Sequence, residues 1–297
     1  MPDKVKVSVI IPTFNEDSSI KILLDSLLCQ SFKADEIVIC DGGSSDKTLE
    51  IIKKYAYTNA EIKITPKQST CRGSGRNYAI QYTKNDLLAL IDAGTIPNKK
   101  WLEKLVKAKF RKTNVNVVYG AAKPLVSNYF SRNISNIIIG RNHLNGKIIP
   151  TVASMLLEKL VWKEVDKFPE SKDGNYVVED LILLEKIKKS KFLTSIEENA
   201  IVHWEVPTQF QKCFTRFSAQ SVDALNSGYT KSLHKGLFRN LFIFLIVIIL
   251  GFKFNHLFFY LLLLLLFIRS YSYVRTMPIY IKRKVILLSD LCVTSVL

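Results

Sequence analysis

The chain has 297 residues, 48% of them hydrophobic, which is ample for a packed core in one large domain or two small ones. Its formal net charge of +16 at pH 7 predicts an anionic partner: a nucleic acid, a phosphorylated substrate or an anionic lipid. The five cysteines form no C-x-x-C pair and are odd in number, which argues against a zinc knuckle and a disulfide framework and favours a reduced compartment.

The first two predicted strands both end in polar, turn-forming residues. One apolar run begins at Val7 and ends at residues 12–16, and a second begins at Glu36 and ends at residues 41–46. Between them, Ser18 is a plausible N-cap for a helix with apolar residues at helical spacing. Continuous apolar runs are typical of strands buried on both faces of a parallel sheet. We therefore expect the polar ends to meet at one edge, where ligands bind.

The same alternation continues as far as residue 226. Asp46 is a candidate cap for a helix that reaches Tyr55, and residues 72–77 predict a flexible, glycine-rich turn that opens another helix. Further strands are expected at residues 61–65, 87–91, 115–119 and 200–203, and further helices at residues 98–110, from Glu179 onwards and at residues 208–226. Strands that alternate with helices predict an α/β fold.

Two almost purely apolar runs, residues 237–252 and 257–268, follow a part with the mixed composition of a water-soluble fold. Basic residues lie outside both runs, whereas the short connection carries only Lys253, which fits two membrane crossings with both ends in the cytoplasm. Each run is shorter than the roughly 20 residues that usually span a bilayer, so a re-entrant hairpin is an open alternative. Residues 285–297 are also apolar and predict either an interfacial helix or a third, incomplete span.

These patterns predict a domain of residues 1–230 followed by a C-terminal membrane-associated region of residues 231–297. The first apolar run of the chain fits a strand and is shorter than the core of a signal peptide. We therefore expect the protein at the cell membrane, with its first domain on the cytoplasmic side.

Six short motifs follow one another in a fixed order along residues 5–226. They are residues 10–16 (Ile-Ile-Pro-Thr-Phe-Asn-Glu), 41–48 (Asp-Gly-Gly-Ser-Ser-Asp-Lys-Thr), 73–77 (Gly-Ser-Gly-Arg-Asn), 90–92 (Leu-Ile-Asp) with Trp101-Leu102, 168–170 (Phe-Pro-Glu) and 179–180 (Glu-Asp). In this order they resemble the family 2 glycosyltransferases of GT-A fold. The resemblance implies a Rossmann-like mixed sheet flanked by helices, and the inverting transfer of a sugar from a nucleotide-diphosphate donor to an acceptor hydroxyl.

The resemblance implies that the donor binds at the polar ends of the predicted strands. The positions assigned to the nucleotide sugar are Pro12, Thr13, Glu16, Asp41, Arg72, Arg76 and Asp92. Carboxylates there would accept hydrogen bonds from the base or from sugar hydroxyls, and the two arginines are included because guanidinium groups pair well with phosphates. From the residues alone, simpler readings stay open: a tight turn at residues 41–43, and surface charges for the arginines.

Asp92 stands where the family usually has a D-x-D motif that holds Mg²⁺ or Mn²⁺ against the donor diphosphate. In this chain Gly94 takes the place of the second aspartate, which leaves the dependence on a divalent cation open. Thr95 is a candidate to reach the metal through water. His203 resembles a family histidine that completes the metal site, although a lone histidine is often structural.

Glu179 and Asp180 are the predicted catalytic pair. By the resemblance, Asp180 is the general base that takes the proton of the acceptor hydroxyl, and Glu179 supports it. The polar loop at residues 166–176 precedes the pair. Acidic residues in the first turn of a helix are also stabilised by the macrodipole whatever their function, and we expect this dipole to lower the pKa of Asp180.

The favoured reading is a membrane-attached inverting hexosyltransferase that acts on a hydroxyl or phosphate of a lipid-linked or glycan acceptor. One alternative is a catalytically inactive nucleotide-sugar-binding membrane protein, because the second aspartate is missing. Another is a processive polysaccharide synthase, because residues 211–217 partly match a Q-x-x-R-W segment. A nucleotidyltransferase is disfavoured because residues 13–17 contain no glycine or basic residue, and nucleic-acid binding because no aromatic residues interleave a basic face.

Overall fold

The computed structural model describes residues 5–66, 69, 71–111, 114–128, 130–132, 135, 150–170 and 179–215, and the single positions 260, 264 and 268. The chain divides into two compact units, one formed by Met1–Leu125 with Pro150–Glu205 and the other by Val126–Ile149 with Val206–Leu297. All the helices and strands named below belong to the first unit.

A mixed sheet of eight strands forms the centre of the first unit. The strands are β1 (Val7–Thr13), β2 (Glu36–Asp41), β3 (Ile62–Ile64), β4 (Leu87–Ile91), β5 (Thr95–Pro97), β6 (Val115–Leu125), β7 (Ser154–Glu158) and β8 (Leu193–Glu205). Their order in the sheet is β3-β2-β1-β4-β7-β6-β8-β5. The four strands β3, β2, β1 and β4 are mutually parallel. β7 is antiparallel to both of its neighbours, β4 and β6. β8 is parallel to β6, and β5 is antiparallel to β8.

Helices cover both faces of the sheet. They are α1 (Ile20–Leu28), α2 (Thr48–Thr58), α3 (Arg72–Gln81), α4 (Trp101–Arg111), α5 (Lys159–Glu164) and α6 (Glu179–Lys189). In β1, Val9 and Ile11 pack in one hydrophobic cluster with α1, α2 and α4, whereas Ile10 packs in a second cluster with α3, α5 and α6. Because side chains alternate across a strand, the two clusters lie on opposite faces. This explains the unbroken apolar runs and confirms the predicted α/β sheet flanked by helices.

Most of the predicted strands and helices are present, with shifted ends. β6 and β8 are longer than predicted, and β5 and β7 were not predicted because they are short and lie where the pattern is irregular. The prediction of Ser18 as N-cap is wrong: Ser19 is the N-cap of α1, and the Glu16 carbonyl accepts the Ile20 N–H at 2.8 Å. The prediction of Asp46 as the cap of α2 is also one residue off, because Lys47 is the N-cap, although the Asp46 carboxylate accepts the Thr48 N–H at 2.9 Å.

The prediction of a flexible turn at residues 72–77 is wrong, because the whole segment belongs to α3. Its glycines serve close packing instead. A Cβ on Gly73 would lie 2.1 Å from the Pro169 carbonyl oxygen, and a Cβ on Gly75 would lie 3.3 Å from Pro12 Cβ. The lack of a side chain therefore lets two other segments approach this helix directly.

Within the described residues, no helix combines the length and hydrophobicity needed to cross a bilayer. The predicted apolar runs at residues 237–252, 257–268 and 285–297 lie outside the described residues, apart from the single positions 260, 264 and 268. The predicted domain boundary at residue 230 lies outside them as well. The membrane hairpin and the domain limits therefore stay predictions.

Candidate active site

The carboxyl ends of β1 and β2 lie side by side, as the sequence predicts for the donor site. Thr13 is paired with Asp41 in the parallel register, and the Thr13 carbonyl accepts the Gly42 N–H at 2.8 Å. The Asp41 carboxylate accepts the N–H groups of Gly43 and Ser44, both at 2.9 Å, and the Ser44 hydroxyl at 2.6 Å. Asp41 therefore holds its own turn, which is the simpler of the two readings of this motif. Its contact with a donor stays a prediction.

Thr13 carries a buried hydroxyl that has no hydrogen-bond partner among the described residues. The neighbouring Pro12 faces α3 at Gly75. Leaving a buried polar group without a partner is costly unless a ligand or water supplies one. The Thr13 hydroxyl is therefore available to a polar group that enters at this edge of the sheet.

Glu16 follows β1 and is held by two neighbouring side chains. Its N–H donates to Thr48 Oγ1 at 2.7 Å, and its carboxylate accepts the Ser19 hydroxyl. Burial raises the pKa of Glu16 above its ordinary value. The charge of Asp92 adds to this rise, whereas Ser19 and Arg72 oppose it. Glu16 therefore lies within electrostatic reach of both the Asp92 carboxylate and the Arg72 guanidinium.

Arg76 joins the two predicted parts of the site. Its guanidinium nitrogens lie 2.7 Å from Asp92 Oδ1 and 2.7 Å from Glu179 Oε1. Burial opposes its charge, yet the charges of Asp92, Glu179 and Asp180 raise the pKa of Arg76 above its ordinary value. The reading of Arg76 as a surface charge is therefore wrong, whereas Arg72 is exposed at the start of α3. Direct contacts of either arginine with a donor phosphate stay predictions.

The predicted catalytic pair begins α6. Glu179 is buried, and its Oε2 has no hydrogen-bond partner among the described residues. Burial raises the pKa of Asp180 to about 6, the charge of Glu179 adds to the rise, and Arg76 opposes it. The predicted lowering of this pKa is wrong because burial and a neighbouring carboxylate outweigh the helix dipole. Asp180 is still mostly ionised at neutral pH.

Asn77 was not predicted as a site residue, although it fixes the segment at residues 168–170. Its side-chain oxygen accepts Trp162 Nε1–H at 2.9 Å and the Phe168 N–H at 3.1 Å. Its side-chain nitrogen donates to the Phe168 carbonyl at 2.9 Å and to Glu170 Oε1 at 2.7 Å. The signal was present in the sequence, because Asn77 belongs to one quoted motif and Phe168 and Glu170 to another.

The predicted metal residues are Asp92, which follows β4, and His203 in β8. His203 Nε2 lies 3.0 Å from Asn98 Oδ1, and burial lowers the pKa of His203. The Thr95 hydroxyl donates to the Asp92 carbonyl at 2.7 Å. Across the part of the chain that the structure describes, no group of three or more His, Cys, Asp or Glu residues could hold a metal ion.

This donor set still fits a cation that binds together with the substrate. Asp92 offers hard carboxylate oxygen, and Mg²⁺ is commonly held by one or two carboxylates and substrate phosphates rather than by a cage of protein ligands. The ligand role of His203 stays a prediction.

Comparisons with known proteins give one matching family model and several relatives that are named glycosyltransferases. A sequence model of Glycosyl transferase family 2 matches residues 8–157, just over half of the chain. Glycosyltransferase AglE of Haloferax volcanii is 35% identical over 118 residues, which are 38% of each chain. UDP-Glc:alpha-D-GlcNAc-diphosphoundecaprenol beta-1,3-glucosyltransferase WfgD of Escherichia coli is 29% identical over 119 residues, 40% of this chain and 46% of its own. The matched part therefore spans less than half the length of either relative.

Two solved structures share the fold. Staphylococcus aureus TarS residues 1–349 in complex with UDP-GlcNAc is 21% identical with a TM-score of 0.52, over 69% of this chain and 60% of that chain. Mannosyltransferase PcManGT from Pyrobaculum calidifontis in complex with GDP-Man and Mn²⁺ is 18% identical with a TM-score of 0.53, over 70% and 59%. The mixed, helix-flanked sheet is consistent with the predicted GT-A fold. Because the family model matches more than half of the chain, this chain belongs to Glycosyl transferase family 2.

Proposed function

We propose that this protein transfers a sugar from a nucleotide-diphosphate donor to an acceptor hydroxyl, with inversion at the anomeric carbon. The observation that carries the proposal is the ion-paired series Asp92, Arg76 and Glu179, which ends next to Asp180. One buried guanidinium holds a carboxylate at the D-x-D position and a carboxylate of the predicted catalytic pair. The donor side and the acceptor side of the site are therefore fixed to the same group.

Asp180 is the general base of this reaction. In a single displacement, the acceptor hydroxyl loses its proton to the Asp180 carboxylate as its oxygen attacks the anomeric carbon. The bond from the anomeric carbon to the β-phosphate oxygen breaks at the same time, and the nucleoside diphosphate leaves with the bonding electrons. A pKa of about 6 makes Asp180 a stronger base than an ordinary aspartate, yet leaves it mostly ionised at neutral pH. Glu179 keeps Arg76 beside the base, and Arg76 limits the rise in the pKa of Asp180.

The donor binds at the carboxyl ends of β1, β2 and β4. Pro12, Thr13 and Asp41 face the nucleoside, Arg72, Arg76 and Asp92 face the diphosphate, and Glu16 lies between the two groups, next to Gly94. A divalent cation, Mg²⁺ or Mn²⁺, would be held by Asp92 and His203 and would neutralise charge on the leaving diphosphate. The neighbouring structures with UDP-GlcNAc and with GDP-Man and Mn²⁺ support a uridine or guanosine donor.

The acceptor is a lipid-linked molecule or a glycan at the cytoplasmic face of the cell membrane. Two predictions from the sequence support this: the apolar runs at residues 237–252 and 257–268, and a net charge of +16 that suits anionic lipid. The relative WfgD is named for a diphosphoundecaprenol-linked acceptor, which supports the same class.

The test is a transfer assay with the full-length protein, radiolabelled UDP and GDP sugars and native membrane lipids, with and without EDTA. We expect the wild type to move label to the lipid fraction, with the inverted anomeric configuration by NMR. Asp180→Asn should lose roughly 10²- to 10⁴-fold in turnover, which is the usual contribution of a general base. Its affinity for UDP or GDP, measured by calorimetry, should be retained.

Glu185→Gln is the matched control, because Glu185 is a half-exposed carboxylate on the same helix that pairs with Lys189. It should transfer label at the wild-type rate. If Asp180→Asn is as fast as the wild type, the assigned base is wrong. If the wild type binds a nucleotide tightly but transfers label to no lipid or glycan, the chain is a binding protein.

A further inference from the structure

The position that lacks the second D-x-D carboxylate is adjacent to another carboxylate. A Cβ built on Gly94 would lie 3.6 Å from Glu16 Oε1 and 3.6 Å from Glu16 Oε2. An aspartate side chain at position 94 would therefore start in van der Waals contact with the Glu16 carboxylate. A carboxylate from the loop after β1 thus lies where the D-x-D motif would supply one from the loop after β4.

The Glu16 carboxylate is fixed at this position. A carboxylate oxygen accepts the Ser19 hydroxyl. The backbone of Glu16 is held as well, because its N–H donates to Thr48 Oγ1 at 2.7 Å and its carbonyl accepts the Ile20 N–H at 2.8 Å. Gly94 lies only two residues after Asp92, so the Glu16 carboxylate lies next to the loop that carries both D-x-D positions. Two like charges in one site favour a cation between them.

We propose that Glu16 supplies the second carboxylate for a divalent cation on the donor diphosphate, in the place that Gly94 leaves open. This inference rests on the proposed function and deepens it. Glu16 and Asp92 would supply hard oxygen ligands from two different motifs, and the donor phosphates would join them and His203 in the set. The cation therefore binds strongly only in the presence of a nucleoside diphosphate, because two carboxylates alone leave most of its coordination positions to other ligands.

The test measures Mn²⁺ binding to the full-length protein by electron paramagnetic resonance, alone and with UDP or GDP, whichever binds the wild type more tightly. Glu16→Gln should weaken Mn²⁺ binding in the ternary complex by at least about tenfold, the lower end of the loss that even outer partners of metal ligands cause. Any loss of nucleotide affinity in EDTA should be smaller than the loss in Mn²⁺. Glu16→Gln with Gly94→Asp should restore Mn²⁺ binding, because the carboxylate returns from the other motif.

Gly94→Asp alone should bring no gain, since its carboxylate meets Glu16. Glu198→Gln is the control, because Glu198 is an exposed glutamate in β8, and it should bind Mn²⁺ as the wild type does. Thermal melting of each variant separates loss of folding from loss of binding.

Three results would overturn the inference while leaving the proposed function intact. In the first, Glu16→Gln binds Mn²⁺ as tightly as the wild type does. In the second, Glu16→Gln loses the same nucleotide affinity in EDTA as in Mn²⁺. In the third, the double variant Glu16→Gln/Gly94→Asp melts like the wild type but does not regain Mn²⁺ binding. An absence of any Mn²⁺ effect on nucleotide binding by the wild type would also refute it. If neither UDP nor GDP binds the wild type, the proposed function itself fails.

Discussion

Replacing Arg76 by glutamine tests whether its buried ion pairs hold the site together. The variant leaves Glu179, only 1% exposed, with a buried charge and no cation, whereas Asp92 is 34% exposed and regains water. Breaking a buried pair costs about 3–5 kcal/mol, while an exposed pair contributes at most about 1 kcal/mol. We therefore expect Arg76→Gln to lower the free energy of unfolding by about 3–5 kcal/mol, nearly all of it through Glu179.

Urea unfolding followed by tryptophan fluorescence measures this loss, because Trp101 and Trp162 are buried and change environment on unfolding. The double variant Arg76→Gln/Glu179→Gln removes the uncompensated charge and should recover about half of the loss or more.

Lys54→Gln is the control, since the Lys54 to Glu50 pair has the same 2.7 Å separation but is exposed to solvent. It should cost less than about 1 kcal/mol. The reasoning is refuted if Arg76→Gln costs no more than Lys54→Gln, or if the double variant is no more stable than the single one.

Asp180 and two glycines give the remaining predictions. The pKa of Asp180 is raised from 3.8 to about 6 in the folded protein, so this residue destabilises the fold above pH 6, and the penalty disappears as the pH falls towards 4. Asp180→Asn should therefore raise the free energy of unfolding near pH 8 by about 1–3 kcal/mol and leave it unchanged near pH 4; equal gains at both pH values in urea unfolding would contradict this pKa. Turnover of the wild type should fall to half of its maximum at a pH of about 6, as measured by a pH–rate profile. Gly73→Ala places a Cβ 2.1 Å from the Pro169 carbonyl oxygen and should cost about 1–3 kcal/mol, whereas Gly94→Ala, with nothing nearer than 3.6 Å, should change stability by less than about 0.5 kcal/mol. Similar melting temperatures for the two glycine variants would argue against a close packing of α3.

The central strands were predictable from the sequence because their burial leaves a direct mark on it. β1, β2 and β4 are buried along their whole length, so nearly every residue is apolar until the strand ends. The two polar strand ends that follow were predicted to meet, and the pairing of Thr13 with Asp41 confirms this. Short strands such as β5 leave no comparable pattern.

The contacts of α3 were not predictable from local pattern. Gly-Ser-Gly is typical of a turn, and its helical state depends on the segments that pack against it, Pro12 on one side and Pro169 on the other. The partner of Arg76 in α6 lies 103 residues away in sequence. The direction of the pKa shift of Asp180 likewise depends on burial, which no spacing of residues reveals.

The net charge of the whole chain is positive, whereas carboxylates outnumber cations around Arg76 in the candidate active site. The formal net charge is +16, yet Arg76 is set against the carboxylates of Asp92, Glu179 and Asp180. For the proposed nucleoside-diphosphate donor, we expect attraction towards the protein at long range and repulsion from these carboxylates over the last few ångströms. Dissolved salt screens the long-range attraction first. High ionic strength should consequently slow the arrival of the donor but leave the short-range repulsion at the site in place. We therefore expect a donor that arrives with a bound cation to gain most over a cation-free donor at high ionic strength.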